Sequence, residues 1–98
     1  MAATITINNF SLTVPVKDGP GNPRDFVGLY RTGAANNAWL TWKYLANNNA
    51  APVPKQGVKT GTVSLVSPGP SGSYEVRFIS INPSGDEGRR YVVVDYIR

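Results

Sequence analysis

The chain has 98 residues, no cysteine and no histidine, and carries ten Lys and Arg against six Asp and Glu, a formal net charge of +4. A chain of this length makes one domain, residues 1–98, that buries about two-thirds of its unfolded surface around a single core. Without cysteine there is no disulfide framework, zinc finger or thiol nucleophile, and without histidine no Ser-His-Asp or Cys-His pair and no imidazole metal ligand.

Ten Gly and eight Pro punctuate segments rich in Val, Ile, Thr and aromatic residues, the composition of an all-β domain with short strands. Only 16% of residues are charged, low for a helical or disordered chain, while 41% hydrophobic content suffices to fold. The longest apolar runs are about five residues, too short to span a membrane. The first ten residues, MAATITINNF, lack the charged and apolar regions of a signal peptide. The expected location is therefore extracellular if the chain is a module of a secreted protein, and cytoplasmic otherwise.

Residues 4–7 alternate with period two and put Ile5 and Ile7 on one face. Residues 10–16 do the same with Phe10, Leu12, Val14 and Val16 inward. Pro15 has no N–H for a ladder, which places that part of the strand at an edge or with its amide side outward. Residues 17–23 form a rigid turn. Residues 25–31 are apolar on both faces, so that strand sits centrally and is covered on both sides.

A turn over residues 32–37 leads to a strand over residues 38–45, with Leu40, Trp42 and Tyr44 on a buried face and Trp39, Thr41 and Lys43 on the other. Residues 47–57 form a polar loop. Residues 60–65 alternate polar-out and apolar-in. The turn over residues 68–72 enters a strand over residues 73–79 with Tyr74, Val76 and Phe78 inward. A Tyr placed so soon after a Pro-Gly turn suggests a tyrosine corner, its hydroxyl reaching back to backbone. Residues 82–90 form a charged hairpin loop with Asp86 and Glu87 beside Arg89 and Arg90, and residues 91–97 make the last strand. About seven antiparallel strands without a helix predict an immunoglobulin-like β-sandwich, with a small barrel as the competing architecture.

The stretch GPGNPRDFVGLYRTGA over residues 19–34 resembles the Asp-Trp-Ile-Gly strand, followed by a turn Gly, of immunoglobulin-like domains of the SKICH type. It is also similar to small bacterial domains, appended to secreted hydrolases and other modular proteins, that carry a Pro-Gly-Asn-Pro-x-Asp-Trp-Val-Gly-Leu-Tyr version. WLTWKY at residues 39–44 looks like their Tyr-Leu-Ser-Trp-x-Tyr strand, and GTVSL at residues 61–65 with GSYEVRF at residues 72–78 like their Gly-Thr-Tyr-Glu-x-Arg strand. The resemblance spans residues 19–78 and implies an immunoglobulin-like accessory or protein-interaction module without catalysis. Phe26 stands where those domains carry Trp and is expected to keep an aromatic core plug. The short segment between the first two strands leaves the pairing of the first one open.

Asp25, ahead of the central strand, is read either as a ligand or metal contact or as a carboxylate that accepts turn amides or pairs with Arg31 or Arg77; the second is expected. The Asp18 to Asp25 turn lacks calcium-loop spacing, so no metal or cofactor is assigned. Only Asp86 and Glu87 among the acids are adjacent, so no carboxylate pair converges and no enzyme is expected. The basic residues are dispersed along the chain, which argues against nucleic acid.

Trp39 shares its predicted face with polar residues and is expected to be exposed. With Asn36, Asn37, Lys43 and Asn48 it forms the candidate ligand-binding set, since flat rings stack on pyranose faces while amides bond hydroxyls. The expected function is a non-catalytic binding or accessory module for carbohydrate or another polymer. The alternative is a structural or protein-interaction domain, a monomer or a weak homo-oligomer through a sheet edge.

Overall fold

The computed structural model describes residues 2–7, 11–84 and 87–97. Within them there is no helix, and eight antiparallel strand segments follow in chain order: β1 (Ala2–Ala3), β2 (Thr6–Ile7), β3 (Ser11–Lys17), β4 (Phe26–Arg31), β5 (Thr41–Tyr44), β6 (Gly61–Val66), β7 (Ser73–Ile81) and β8 (Glu87–Ile97). They form two sheets. In one, β3 lies between β6 and the pair β1 and β2; the other runs β5-β4-β7-β8.

The expectation of about seven strands is corrected. Five of them, β3, β4, β6, β7 and β8, are six residues or longer, β5 has four, and β1 and β2 have two each. Pro15 accounts for the shortest pieces. Both β1 and β2 follow one antiparallel register against β3, with Ala2 opposite Lys17 and Ile7 opposite Leu12. Between them the Thr4 N–H donates to Pro15 O at 3.3 Å, and Pro15 has no N–H to return, so the ladder opens there.

The strand expected over residues 38–45 is also shorter. Ala38 N–H turns back to Ala35 O at 2.9 Å, and Leu40 N–H donates to Leu29 O at 2.7 Å although the ladder sets Thr41 opposite Leu29. Two residues then oppose one, in the manner of a bulge. At the other end of the chain the loop expected over residues 82–90 is shorter, because β7 runs to Ile81 and β8 begins at Glu87; Arg89 and Arg90 therefore lie in a strand. The expectations for Phe10 and Asp86 fall outside the described residues.

Alternation along the strands builds the core. Leu12, Val14 and Val16 of β3, with Val63 and Leu65 of β6, form one buried cluster with Val27 and Leu29 of β4 and Tyr74, Val76 and Phe78 of β7. Each such aliphatic or Phe side chain contributes about 1.5–3 kcal/mol relative to remaining in water. Leu45, just past β5, joins the cluster and lies over Gly61 of β6, where an added Cβ would meet it at 3.2 Å. That contact brings the edges of the two sheets together. The loop after β5 presses on the turn before β4: Gly19 N–H donates to Lys59 O at 2.8 Å, and a Cβ on Gly57 would sit 2.0 Å from Gly21 O.

Both central strands of the second sheet, β4 and β7, are covered on their two faces, as expected for residues 25–31. At the start of β7 the wholly buried Tyr74 donates its hydroxyl to Pro70 O at 2.7 Å, closing the turn that precedes the strand. Tyr74→Phe keeps the ring and removes this bond. It is expected to lower stability by about 1 kcal/mol, or about 4–8 °C in melting temperature for a domain of this size. An unchanged thermal melt would show that the bond contributes nothing.

Candidate functional site

The strand register divides the second sheet into two faces. Val27 and Leu29 point to the core, so Phe26, Gly28 and Tyr30 lie on the far side. Their ladder partners lie there too: Tyr44 and Trp42 from β5, and Ile79, Arg77 and Glu75 from β7. Trp42, expected on a buried face, is half-buried on this outer side, and Phe26 is half-buried there rather than plugging the core. The bulge at Leu40 is the cause, because one extra residue brings Trp39 and Trp42 to the same side despite their odd spacing.

A buried charge organises this face. Arg77 is fully buried; its Nε donates to Glu75 Oε1 at 2.6 Å, and Nη2 bonds the same oxygen. Nη1 donates to Asn36 Oδ1 at 2.9 Å, and the guanidinium lies 4.1 Å from the centroid of the Tyr30 ring. Tyr30 in turn donates its hydroxyl to Asn36 O at 2.6 Å. Asn36 thus ties the segment over residues 32–40 down onto the sheet by both its side chain and its carbonyl. A desolvated guanidinium held in this way depends on every partner, since removing one member of a buried pair costs about 3–5 kcal/mol.

Beyond this knot the outer face opens into a cleft of about 260 Å³ lined by Arg24, Phe26, Trp39, Trp42, Tyr44 and Ile81. Its rings meet edge to face: Trp39 is 6.0 Å from Phe26 and 5.8 Å from Trp42, Trp42 is 5.5 Å from Phe26, and Tyr44 is 4.8 Å from Trp42. Such pairs stabilise by about 0.5–1.5 kcal/mol each beyond the area they bury. Trp39 nevertheless leaves 41% of its surface in solvent. A second hollow of about 400 Å³ adjoins the first, sharing Arg24 and Ile81 and adding Pro23, Asn82, Pro83 and Ser84.

Asp25 lies between Arg24 and Phe26 in the chain and braces the segments that carry both hollows. It is 1% exposed; Oδ2 accepts from Asn22 N–H at 3.0 Å and Oδ1 from Ile81 N–H at 2.9 Å. Its own N–H donates to Asn22 O at 3.2 Å, and its carbonyl accepts from Leu45 N–H at 3.0 Å. The carboxylate therefore joins the turn carrying Arg24 to the end of β7, and the backbone carbonyl of the same residue adds Leu45, just past β5. Burial pushes this carboxyl above its ordinary value of 3.8, and the hydrogen bonds from Ile81, Asn22 and Ser80 offset that only in part. The reading of Asp25 as an acceptor of turn amides holds.

The expected binding residues are not brought together. Trp39 is exposed and lies in the cleft; Asn37 is exposed outside its described lining. Asn36 holds Arg77 and Tyr30. Lys43 is half-buried and, opposite Val27, sits on the other face of β5 from Trp42. Asn48, with a φ of 53°, accepts the Ser64 N–H of β6 at 2.8 Å through Oδ1 and pins the loop to that strand. Phe26, Trp42, Tyr44 and Arg24 were not singled out by sequence reasoning. A usable signal was present: Trp39, Trp42 and Tyr44 within six residues exceed what one face of one strand buries.

Compared with protein families, curated proteins and solved structures, the chain matches none.

Two outcomes test this geometry. A Cβ on Gly28 would meet the Tyr30 ring at 2.8 Å, and that ring is held by Arg77 and Asn36. Gly28→Ala is therefore expected to lower stability by about 1–3 kcal/mol and to shift Trp fluorescence, as residues 32–40 lose their anchor. Full stability would mean that the Tyr30 stack is dispensable. The raised carboxyl of Asp25 means that the folded chain holds this proton more tightly than the unfolded one. Its contribution is greatest below pH 3.8 and declines as pH rises through the folded value. In thermal melts across pH, the deficit of Asp25→Asn relative to wild type is expected to be largest in acid and to narrow toward neutrality. A deficit independent of pH contradicts it.

Proposed function

We propose that the domain is an immunoglobulin-like β-sandwich, akin to the SKICH-type and bacterial accessory domains it resembles, and acts as a non-catalytic module that binds carbohydrate or a related polymer. Two antiparallel sheets sharing one core, and the Tyr74 hydroxyl bonded to Pro70 O, support the architecture. The observation that carries the function is the aromatic cleft: four rings on the face away from the core, one of them an exposed Trp. Solvent-facing Trp surface that packing does not require is the kind of platform on which the apolar faces of pyranose rings stack.

The buried carboxylates do not supply chemistry in this reading. Asp25 bonds backbone amides and Glu75 bonds Arg77, so both serve the scaffold. A sheet-edge mode of association has less support at β6 and β5, which leaves β8 as the open edge of the second sheet among the described strands. Asn48 caps the Ser64 N–H on the free side of β6, and Tyr44 of β5 already pairs with Asn49.

Trp39→Ala tests the proposal. It removes the exposed ring and two edge-to-face contacts, about 1–3 kcal/mol together, so the melting temperature falls by about 4 °C or more while the domain stays folded and glycan retention in affinity electrophoresis drops about tenfold or more. Absence of binding across a broad glycan array, or retention that survives Trp39→Ala, defeats it.

A further inference from the structure

Charge distribution around the cleft narrows the ligand. Arg24 is exposed and lines both hollows, and the one ion pair among the residues with described side chains joins Arg77 to Glu75. Of the acids with described side chains, none lines either hollow: Asp25 faces the Asn22 and Ile81 amides, Glu75 faces Arg77, and Asp18 lines neither, while Glu87 stands opposite Ile81 in the β7–β8 ladder. The described lining thus holds one cation and no anion, in a chain with a net charge of +4.

The two hollows share the walls formed by Arg24 and Ile81. Aromatic rings line one hollow; Asn82 and Ser84 with two prolines line the other, and Arg24 stands at the junction. Together they fall within the range of about 300–1,000 Å³ typical of small-ligand sites. Resting on the carbohydrate reading above, we infer that the ligand is an acidic oligosaccharide: one sugar ring stacks at Trp39, its carboxylate or sulfate pairs with Arg24, and the neighbouring sugar lies toward Asn82 and Ser84. A guanidinium presents paired N–H groups that match a carboxylate or a sulfate equally well. Single-stranded nucleic acid fits less well, because a groove that tracks a phosphate backbone needs a row of cations, and Arg24 is the one Lys or Arg in the described lining.

The test compares three trisaccharides by calorimetry: an oligogalacturonate, its full methyl ester, and a sulfated galactan fragment. Short oligothymidylate serves as the nucleic-acid arm. Wild type is expected to bind the galacturonate or the sulfated sugar about tenfold more tightly than the ester, and Arg24→Gln to abolish that difference while leaving the melt unchanged. Which acidic sugar binds more tightly assigns the anion. Equal affinity for acid and ester, with Arg24→Gln silent, overturns the acidic ligand and leaves the carbohydrate reading standing. Binding of none of the three sugars overturns the acidic ligand, and the glycan array then decides the carbohydrate reading separately. Tighter binding of oligothymidylate, lost in Arg24→Gln, reassigns the site to nucleic acid and overturns the inference.

Discussion

A guanidinium with no access to water must find a partner for each of its donors within reach, and Arg77 sits in that position at the middle of a β-sheet. Glu75, two residues away on the same strand face, supplies the charge. Asn36 has to come from outside the sheet, so residues 32–40 fold down across its outer surface. The Tyr30 ring covers the cation, and lies where a side chain at residue 28 would be, which is why Gly occupies that place. Each of these contacts stabilises modestly alone. Their joint loss would uncover a buried charge, and that asymmetry makes the arrangement rigid.

The cleft inherits its shape from this knot and from Asp25. Arg77 holds one wall, because the segment it anchors ends at Trp39. Asp25 holds the other by joining the Arg24 turn to Ile81. Two walls of the cleft are thus fixed by polar groups buried in the fold. Its interior is made of rings and one exposed cation, on the side of the sheet away from the apolar core. Trp39 and Arg24 present exposed surface at the cleft, whereas Gly28 and Asp25 act on the frame.

Much of the frame was legible from the residues. Alternation in β3 and β6 identified Leu12, Val14, Val16, Val63 and Leu65 as core, and the doubly apolar run before Arg31 located the central strand. Asp25 read correctly as an acceptor of turn amides, and Tyr74 as reaching back to backbone. Pro15 read as an edge position or one with its amide side outward, and gave no sign that β3 would be flanked on both sides with the N-terminal ladder split there. The site was legible only at Trp39. Two of its supposed Asn neighbours carry structural duties, Asn36 at Arg77 and Asn48 at Ser64, and Asn37 lies outside the described lining of the cleft.

What the chain determined by itself was pattern: an all-β domain, the turns, the residues that share a strand face, and the absence of thiol and imidazole chemistry. Tertiary structure decided which face is which. A period of two says that Trp42 and Tyr44 lie together, but gives no sign to their common direction when both faces of the sheet are apolar. The one-residue bulge at Leu40, seen only once β5 is laid against β4, swings Trp39 to join them. Long-range pairing likewise decided that Asn36 serves Arg77, forty-one residues away in the chain. Short-range periodicity cannot encode a contact whose partners are positioned by two different strands.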